Sequence, residues 1–315
     1  MAILSYNLSD IIQSNLHSIE DLRTKVLITP LKPRQEQKMR WEANINKSYW
    51  GLKLAENPLT KAQMSKLMSK PVSKKLNEHE KEVSSYMNTL NLIREYWTAH
   101  NQALTPRNIL EIYDLSCKEV FGSTASYYKS KTDEIKKILN FIESGKDHPV
   151  IKAGLLQIEI IKLSPFENGT GRVAKLLSHL MLARFGYDLR GLLVLEDYYR
   201  NDLVSLKEAT TSIEKHKNAT KWLEYFTEGV KQGMEKTLKI LTTIDNSKSG
   251  SLWRLTDRQK KILDSFNNPE SKITNKIIQK NFKVSQITAS RDLSKMVNLG
   301  VLLPHGKGRS VFYTK

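Results

Sequence analysis

The residues whose types and spacing could do chemistry lie in one stretch, Ser164-Pro165-Phe166-Glu167-Asn168-Gly169-Thr170-Gly171-Arg172-Val173-Ala174-Lys175. Two glycines and a run of backbone N–H groups fall where a helix begins, and Arg172 and Lys175 follow in its first turns. Unpaired donors, the positive end of a helix dipole and two cations together make an anion site. The same spacing also suits a plain Gly-containing turn between two helices, with basic residues in the first turn of the second.

Two apolar-periodic segments position this loop. Upstream, His148 to Ala153 leads into Gly154-Leu155-Leu156-Gln157-Ile158-Glu159-Ile160-Ile161-Lys162-Leu163, apolar nearly all round, as a helix in the middle of a domain must be. Pro165 disfavours helical geometry at Ser164 and ends that helix. Downstream, Val173, Leu176, Leu177, Leu180, Met181 and Phe185 recur at helical spacing until Gly186 stops them.

These twelve residues resemble the signature loop of the Fic family, His-Pro-Phe-x-Asp/Glu-Gly-Asn-Gly-Arg-x-x-Arg. The resemblance extends in order through His148 to Ala153, Gly186-Tyr187, Val194 to Leu206 with its Tyr198-Tyr199 pair, and Lys221 to Phe226, covering about residues 85–230. It implies a mainly α, Fic helical-bundle fold. It also implies the family's usual activity, transfer of AMP from ATP to a protein hydroxyl. In that chemistry the motif His is the general base, the acidic residue holds Mg²⁺, and the loop N–H groups and arginines grip the phosphates. The implied nucleotide-binding residues are Gly169, Thr170, Gly171, Arg172 and Lys175, with Tyr198 and Tyr199 on the adenine side.

The departures fall on the chemistry. Ser164 stands at the His position, Asn168 at the acidic position, Thr170 at the Asn position and Lys175 at the final Arg; none of the seven histidines lies in the loop. A serine hydroxyl accepts protons poorly at neutral pH, and a positioned base is worth about 10²–10⁴ in rate. Asn168 offers a carbonyl oxygen but no charge, whereas Mg²⁺ sites in nucleotide enzymes use one or two carboxylates. Lys175 keeps the charge without the bidentate fork. The expectation is a degenerate transfer site that binds a nucleotide or another anion at best, with weak or absent ATP and Mg²⁺. A low or altered AMP transferase is the alternative.

The whole chain sets the frame. At 315 residues it has room for two or three domains. Its net charge of +17 favours polyanionic partners. Cys117 is the only cysteine, so no intramolecular disulfide forms and the expected compartment is reducing and cytoplasmic. No secretory signal or membrane span is expected. The N-terminal region resembles that of longer Fic proteins, in which an inhibitory helix carries a Glu that pairs with the last motif Arg. Here Ala55 or Glu56 falls at the Glu position depending on register, leaving a Glu56–Lys175 pairing or a solvated Glu56 open. Residues 121–131 show no alternating strand pair, so the family's target-clamping β-hairpin looks shortened.

The expected domains are 1–84, an N-terminal helical region; 85–232, the Fic core; 233–252, a connecting helix and linker; and 253–315, a winged helix–turn–helix. In the last, Thr256 caps Asp257 to Phe266, a second helix lies near Asn275 to Asn281, and Ser285 caps Gln286 to Leu299. Two short strands then flank a turn bearing Lys307 and Arg309. Ala289, Leu293 and Met296 should face inward. Ser285, Gln286, Thr288, Ser290, Arg291, Ser294 and Lys295 would then face a DNA groove, with Lys307 and Arg309 on the wing. Residues 251–315 carry 13 Lys and Arg against 4 Asp and Glu, about half the surplus charge. The module resembles winged-helix transcription regulators. The functional expectation is a DNA-binding regulator that uses its Fic domain for ligand sensing or assembly. The protein target is unknown, and self-association stays open.

Overall fold

The computed structural model of the chain describes residues 4–31, 33–69, 75–94, 102–243, 255–266, 271–298, 301–306 and 311–314. The expected linker at Asp245 to Ser251, and Lys307 and Arg309, lie outside them. Helices α1 (Asp10–Ile28), α2 (Pro33–Lys53), α3 (Lys61–Met68) and α4 (Glu78–Leu92) come first. They are followed by α5 (Pro106–Ser116), α6 (Lys118–Phe121), α7 (Ala125–Ser130), α8 (Thr132–Ser144), α9 (Pro149–Leu163) and α10 (Thr170–Arg184). Then come α11 (Glu196–Asn201), α12 (Leu203–His216), α13 (Thr220–Thr243), α14 (Asp257–Asp264), α15 (Asn275–Phe282) and α16 (Gln286–Asn298). The only sheet among the described residues pairs β1 (Leu303–His305) with β2 (Phe312–Thr314). None of the described helices is long and apolar enough to cross a membrane.

The chain divides into two compact units, one of Met1–Pro30, Ala43–Leu59 and Leu76–Ile244, the other of Leu31–Glu42, Thr60–Lys75 and Asp245–Lys315. In the first, α9 is the central element. Its side chains from Val150 to Ile160 are all buried, the structural consequence of being apolar on every face. His148 caps it through Nδ1, which accepts from the Val150 N–H, and Pro149 occupies the first helical position, where its missing N–H costs nothing. At Gly154 there is no room for a side chain: a Cβ would lie 2.9 Å from Phe226 and 3.0 Å from Leu223. That gap admits α13, whose Trp222 donates its indole N–H to the Gly154 carbonyl at 2.8 Å. α10 returns beside α9 with Val173, Leu176, Leu177, Leu180 and Met181 buried.

The N-terminus is tied into this bundle. Leu4 donates its N–H to the buried Glu159 at 2.5 Å, Asn15 of α1 bonds Thr227 of α13 at 3.2 Å, and Arg23 reaches the Gly186 carbonyl at 3.1 Å. α4 begins at Glu78, earlier than its apolar pattern suggests, because Asn77 and Glu80 form a reciprocal capping box. Residues 118–121 and 125–130 fold as the short helices α6 and α7. α13 runs unbroken from Thr220 to Thr243.

In the second unit, α14, α15 and α16 enclose Ile262, Leu263, Ile278, Ala289, Leu293 and Met296. β1 and β2 pair antiparallel, and Tyr313 also bridges to Ile273 before α15. Thr256 and Thr274 cap α14 and α15, and Lys283 ends α15 in the left-handed conformation (φ 48°).

Candidate functional site

The loop between α9 and α10 is built from its apolar member outwards. Phe166 is 1% exposed and stacks between Tyr113 (ring centroids 4.5 Å apart) and Tyr128 (5.3 Å). This anchor fixes the loop and is worth about 3–5 kcal/mol by the usual cost of truncating a buried Phe. Ser164 ends α9 in the left-handed conformation (φ 46°) and is exposed, as are Glu167 and Asn168. Thr170 ties the loop closed by donating its hydroxyl to the Phe166 carbonyl at 3.1 Å.

Gly169 opens α10 with φ +83°, and its carbonyl accepts from the N–H groups of Arg172 (3.0 Å) and Val173 (3.1 Å). A Cβ at Gly169 would lie 2.8 Å from the Cys117 sulfur, so both conformation and space demand glycine. Cys117 is buried, and burial pushes its thiol pKa up despite Ser116 and Arg172 beside it. Gly171 is exposed, and a Cβ there would meet open space. The N–H groups of Thr170 and Gly171 have no partner within the helix, as at any helix start.

The two cations of the motif point inward. Arg172 forms an ion pair with Glu82 of α4, both side chains being largely buried, and its guanidinium sits 4.7 Å from the Phe121 ring centroid. Glu82 also accepts from Asn57. Lys175 donates to the Gly51 carbonyl at 3.5 Å. Burial pushes the Lys175 pKa down to about 8, with Glu196 opposing and Arg172 adding to the fall. Glu56 is exposed at φ 64° in the turn after α2, and it is the Gly51 carbonyl that Lys175 reaches.

Behind the loop lies a buried polar cluster that the sequence reading did not identify. Glu196 is fully buried and meets His179 Nε2 at 2.5 Å. Burial works against the Glu196 charge, but His179 and Lys47 outweigh it, holding the carboxyl below its ordinary pKa. Lys47 donates to the Gly191 carbonyl at 3.2 Å, and burial lowers its pKa in spite of Asp188 and Glu196 nearby. For the Arg172 pair the legible signal was Glu82, a carboxylate four residues before Tyr86 on the inward stripe of α4. An acid on an apolar stripe needs a cation in the fold.

The tyrosine pair packs against α13. Tyr199 is 2% exposed, bonds Gln157 at 3.3 Å and packs near Trp222 and Tyr225. Tyr198 packs on Tyr225 at 4.9 Å and lines a cleft of about 310 Å³ with Asp197, Asn201 and Lys236. The structure thus brings Ser164, Asn168 to Arg172 and Lys175 together, and places Tyr198 and Tyr199 against α13.

Whether Mg²⁺ and ATP suit this arrangement is decided by the donors present. The loop offers one neutral amide and the exposed Glu167, and among the described residues no group of three His, Cys, Asp or Glu side chains could hold a metal. Arg172 is neutralised by Glu82, and Lys175 is turned to Gly51. The loop thus offers a magnesium ion at most one carboxylate, Glu167, beside the neutral Asn168 amide.

In the second unit, α16 presents Gln286, Ile287, Ser290 and Arg291 to the exterior, with Thr288, Ser294 and Lys295 partly exposed. Ser285 caps the helix through the Thr288 N–H at 3.2 Å, and Ser290 accepts from Asn275 at 2.7 Å. The inward anchor is Asp292, which accepts from Arg258 at 2.6 Å and Gln259 at 2.8 Å.

No family model matches the sequence, and no curated protein matches it significantly. Solved structures do. A Fic family protein from Desulfovibrio desulfuricans G20 superposes with a TM-score of 0.66 at 14% identity, over 99% of this chain and 98% of that one. Fic-1 from C. elegans gives 0.60 at 16% identity, over 72% of this chain and 71% of its own. A Fic domain containing signaling protein from Bacteroides thetaiotaomicron VPI-5482 gives 0.55 at 20% identity, over 75% of this chain and all of its own. With its helical hairpin around Ser164 to Lys175, the chain has the Fic fold.

Proposed function

We propose that this protein is a DNA-binding regulator in which a Fic domain with a degenerate transfer site serves as a ligand-sensing or assembly unit. The observation that carries the first half is the ion pair between Arg172 and Glu82, in a loop whose base position is Ser164 and whose metal position is Asn168. Fic proteins usually transfer AMP, which requires a proton acceptor, a charged metal ligand and cations free to hold phosphates. Here the first two are replaced by a hydroxyl and an amide, and the guanidinium is neutralised from within. An anion arriving at the start of α10 must compete with Glu82 for Arg172, and α4 would register that exchange. Incubating the intact chain with Mg²⁺ and labelled ATP, beside Ser164→His/Asn168→Asp, tests this half. Label transfer only by the variant is expected, and transfer by the unaltered chain refutes it.

The second half rests on residues 251–315, which read as a winged helix carrying 13 of the 50 basic residues, and on the exposed Gln286, Ile287 and Arg291 of α16. Short polar groups and an Arg on an accessible helix are what a major-groove reader needs. Duplex DNA should bind in the nanomolar to micromolar range and weaken steeply with salt. No binding at low salt would refute it. The rival, a transferase of low or altered rate, is favoured by one retained feature. The helix start at Gly171 stays open to the outside, where an added Cβ would meet nothing.

A further inference from the structure

The outer face of α12, in the first unit, carries a groove of about 790 Å³ that neither the loop nor the proposed DNA face uses. Its lining follows two adjacent rows of the helix, every fourth residue from Leu203 to Lys215 and every fourth from Val204 to His216, with Lys221 of α13 beside them. Rows spaced by four are the ridges of an α-helix surface, and the furrow between two such ridges is what the ridge of another helix fills. At one end the floor is apolar: Leu203 is 44% and Val204 70% exposed. Lys207, Lys215, His216 and Lys221 are exposed around it, with Glu208 the acid among the lining residues. Lys215 and His216 also complement the last carbonyls of α12. Leu203 and Val204 have no comparable local use.

We propose that this groove docks an acidic amphipathic helix of a partner protein. Its apolar residues would seat on Leu203 and Val204, and its carboxylates would meet Lys207, Lys215 and Lys221. α12 is about 21 Å long, so about four turns of partner helix would cover it. Charge selects the occupant. A second copy of a chain bearing +17 would bring like charges together, whereas an acidic helix is attracted to this rim. The apolar floor sets such a helix apart from a nucleic acid, which would need only the lysines.

The test is a displayed library of helical 14-residue peptides, selected on the full chain and followed by fluorescence anisotropy with the enriched peptides. Enriched sequences should place Leu or Ile at i and i+4 with Asp or Glu flanking them. Their affinity should fall at least tenfold on Val204→Asp and on Lys207→Glu. Both residues are exposed, so an unchanged circular dichroism spectrum and melting curve should accompany each loss. Replacing either the apolar or the acidic residues of the peptide by Ser should also cost at least tenfold. The proposal is overturned if no peptide is enriched, or if the variants bind as tightly as the native chain. It is equally overturned if duplex DNA or phosphatidylglycerol vesicles, rather than peptide, protect α12 from hydrogen exchange.

Discussion

Lys175 gives the sharpest prediction, because its charge is held where burial opposes it. Its folded pKa is near 8 against an ordinary lysine value of 10.5. Below pH 8 both folded and unfolded chains hold the proton, and keeping the charge in the fold costs about 3 kcal/mol. Between pH 8 and 10.5 the unfolded chain binds more protons than the folded one, so stability rises with pH through that window. From pH 7 to pH 9 the penalty falls to about 2 kcal/mol, a gain of about 1 kcal/mol. Lys175→Met keeps most of the volume and removes the charge, so it should be more stable than the native chain at pH 7 and should lose this gain. Lys175→Arg cannot shed its proton and should lose the gain while retaining a penalty. Urea unfolding of the three chains at pH 7, 8 and 9 measures this. Differences between chains cancel Lys47, whose pKa burial also lowers, and the tyrosines whose pKa burial raises. Equal pH slopes for the native and Lys175→Met chains would refute the reasoning.

Gly169→Ala should cost about 2–4 kcal/mol, from a left-handed backbone at φ +83° and a Cβ 2.8 Å from the Cys117 sulfur. A loss below 1 kcal/mol in urea unfolding would contradict that, and Cys117→Ala should recover part of it. Asp292→Ala orphans Arg258 and Gln259 beneath α16 and should destabilise the second unit by about 1–3 kcal/mol, read by thermal unfolding. For the proposed DNA binding, Arg291→Ala should relax sequence preference, whereas Lys307→Ala should weaken all sequences alike. Titrations against a selected and a scrambled duplex separate the two outcomes.

Much of the fold was legible because its periodicity is strong. The all-round apolar run of α9, the break at Pro165 and the helical stripe from Val173 to Met181 define the hairpin from residue type alone. The start of α4 was just as readable, since Asn77-x-x-Glu80 is a capping box, but the charged residues around it mask the signal. The partners of the loop cations were harder. Glu82 is 90 residues from Arg172 in the chain and Gly51 is 124 from Lys175. Spacing within a helix carries no information about such pairs, and a backbone carbonyl leaves no trace in residue type. The tyrosine pair is a different case, because a Tyr can pack its ring and still present its hydroxyl. The two rings differ: Tyr199 is buried against Trp222 and Tyr225, whereas Tyr198 lines a cleft with Asp197 and Lys236.

The most direct measurement is single-turnover transfer of labelled AMP by the intact chain, with Mg²⁺, over hours and at saturating protein. No label is expected on any polypeptide from the native chain, and label is expected from Ser164→His/Asn168→Asp once a base and a carboxylate are restored. Stoichiometric labelling by the native chain within minutes would contradict it.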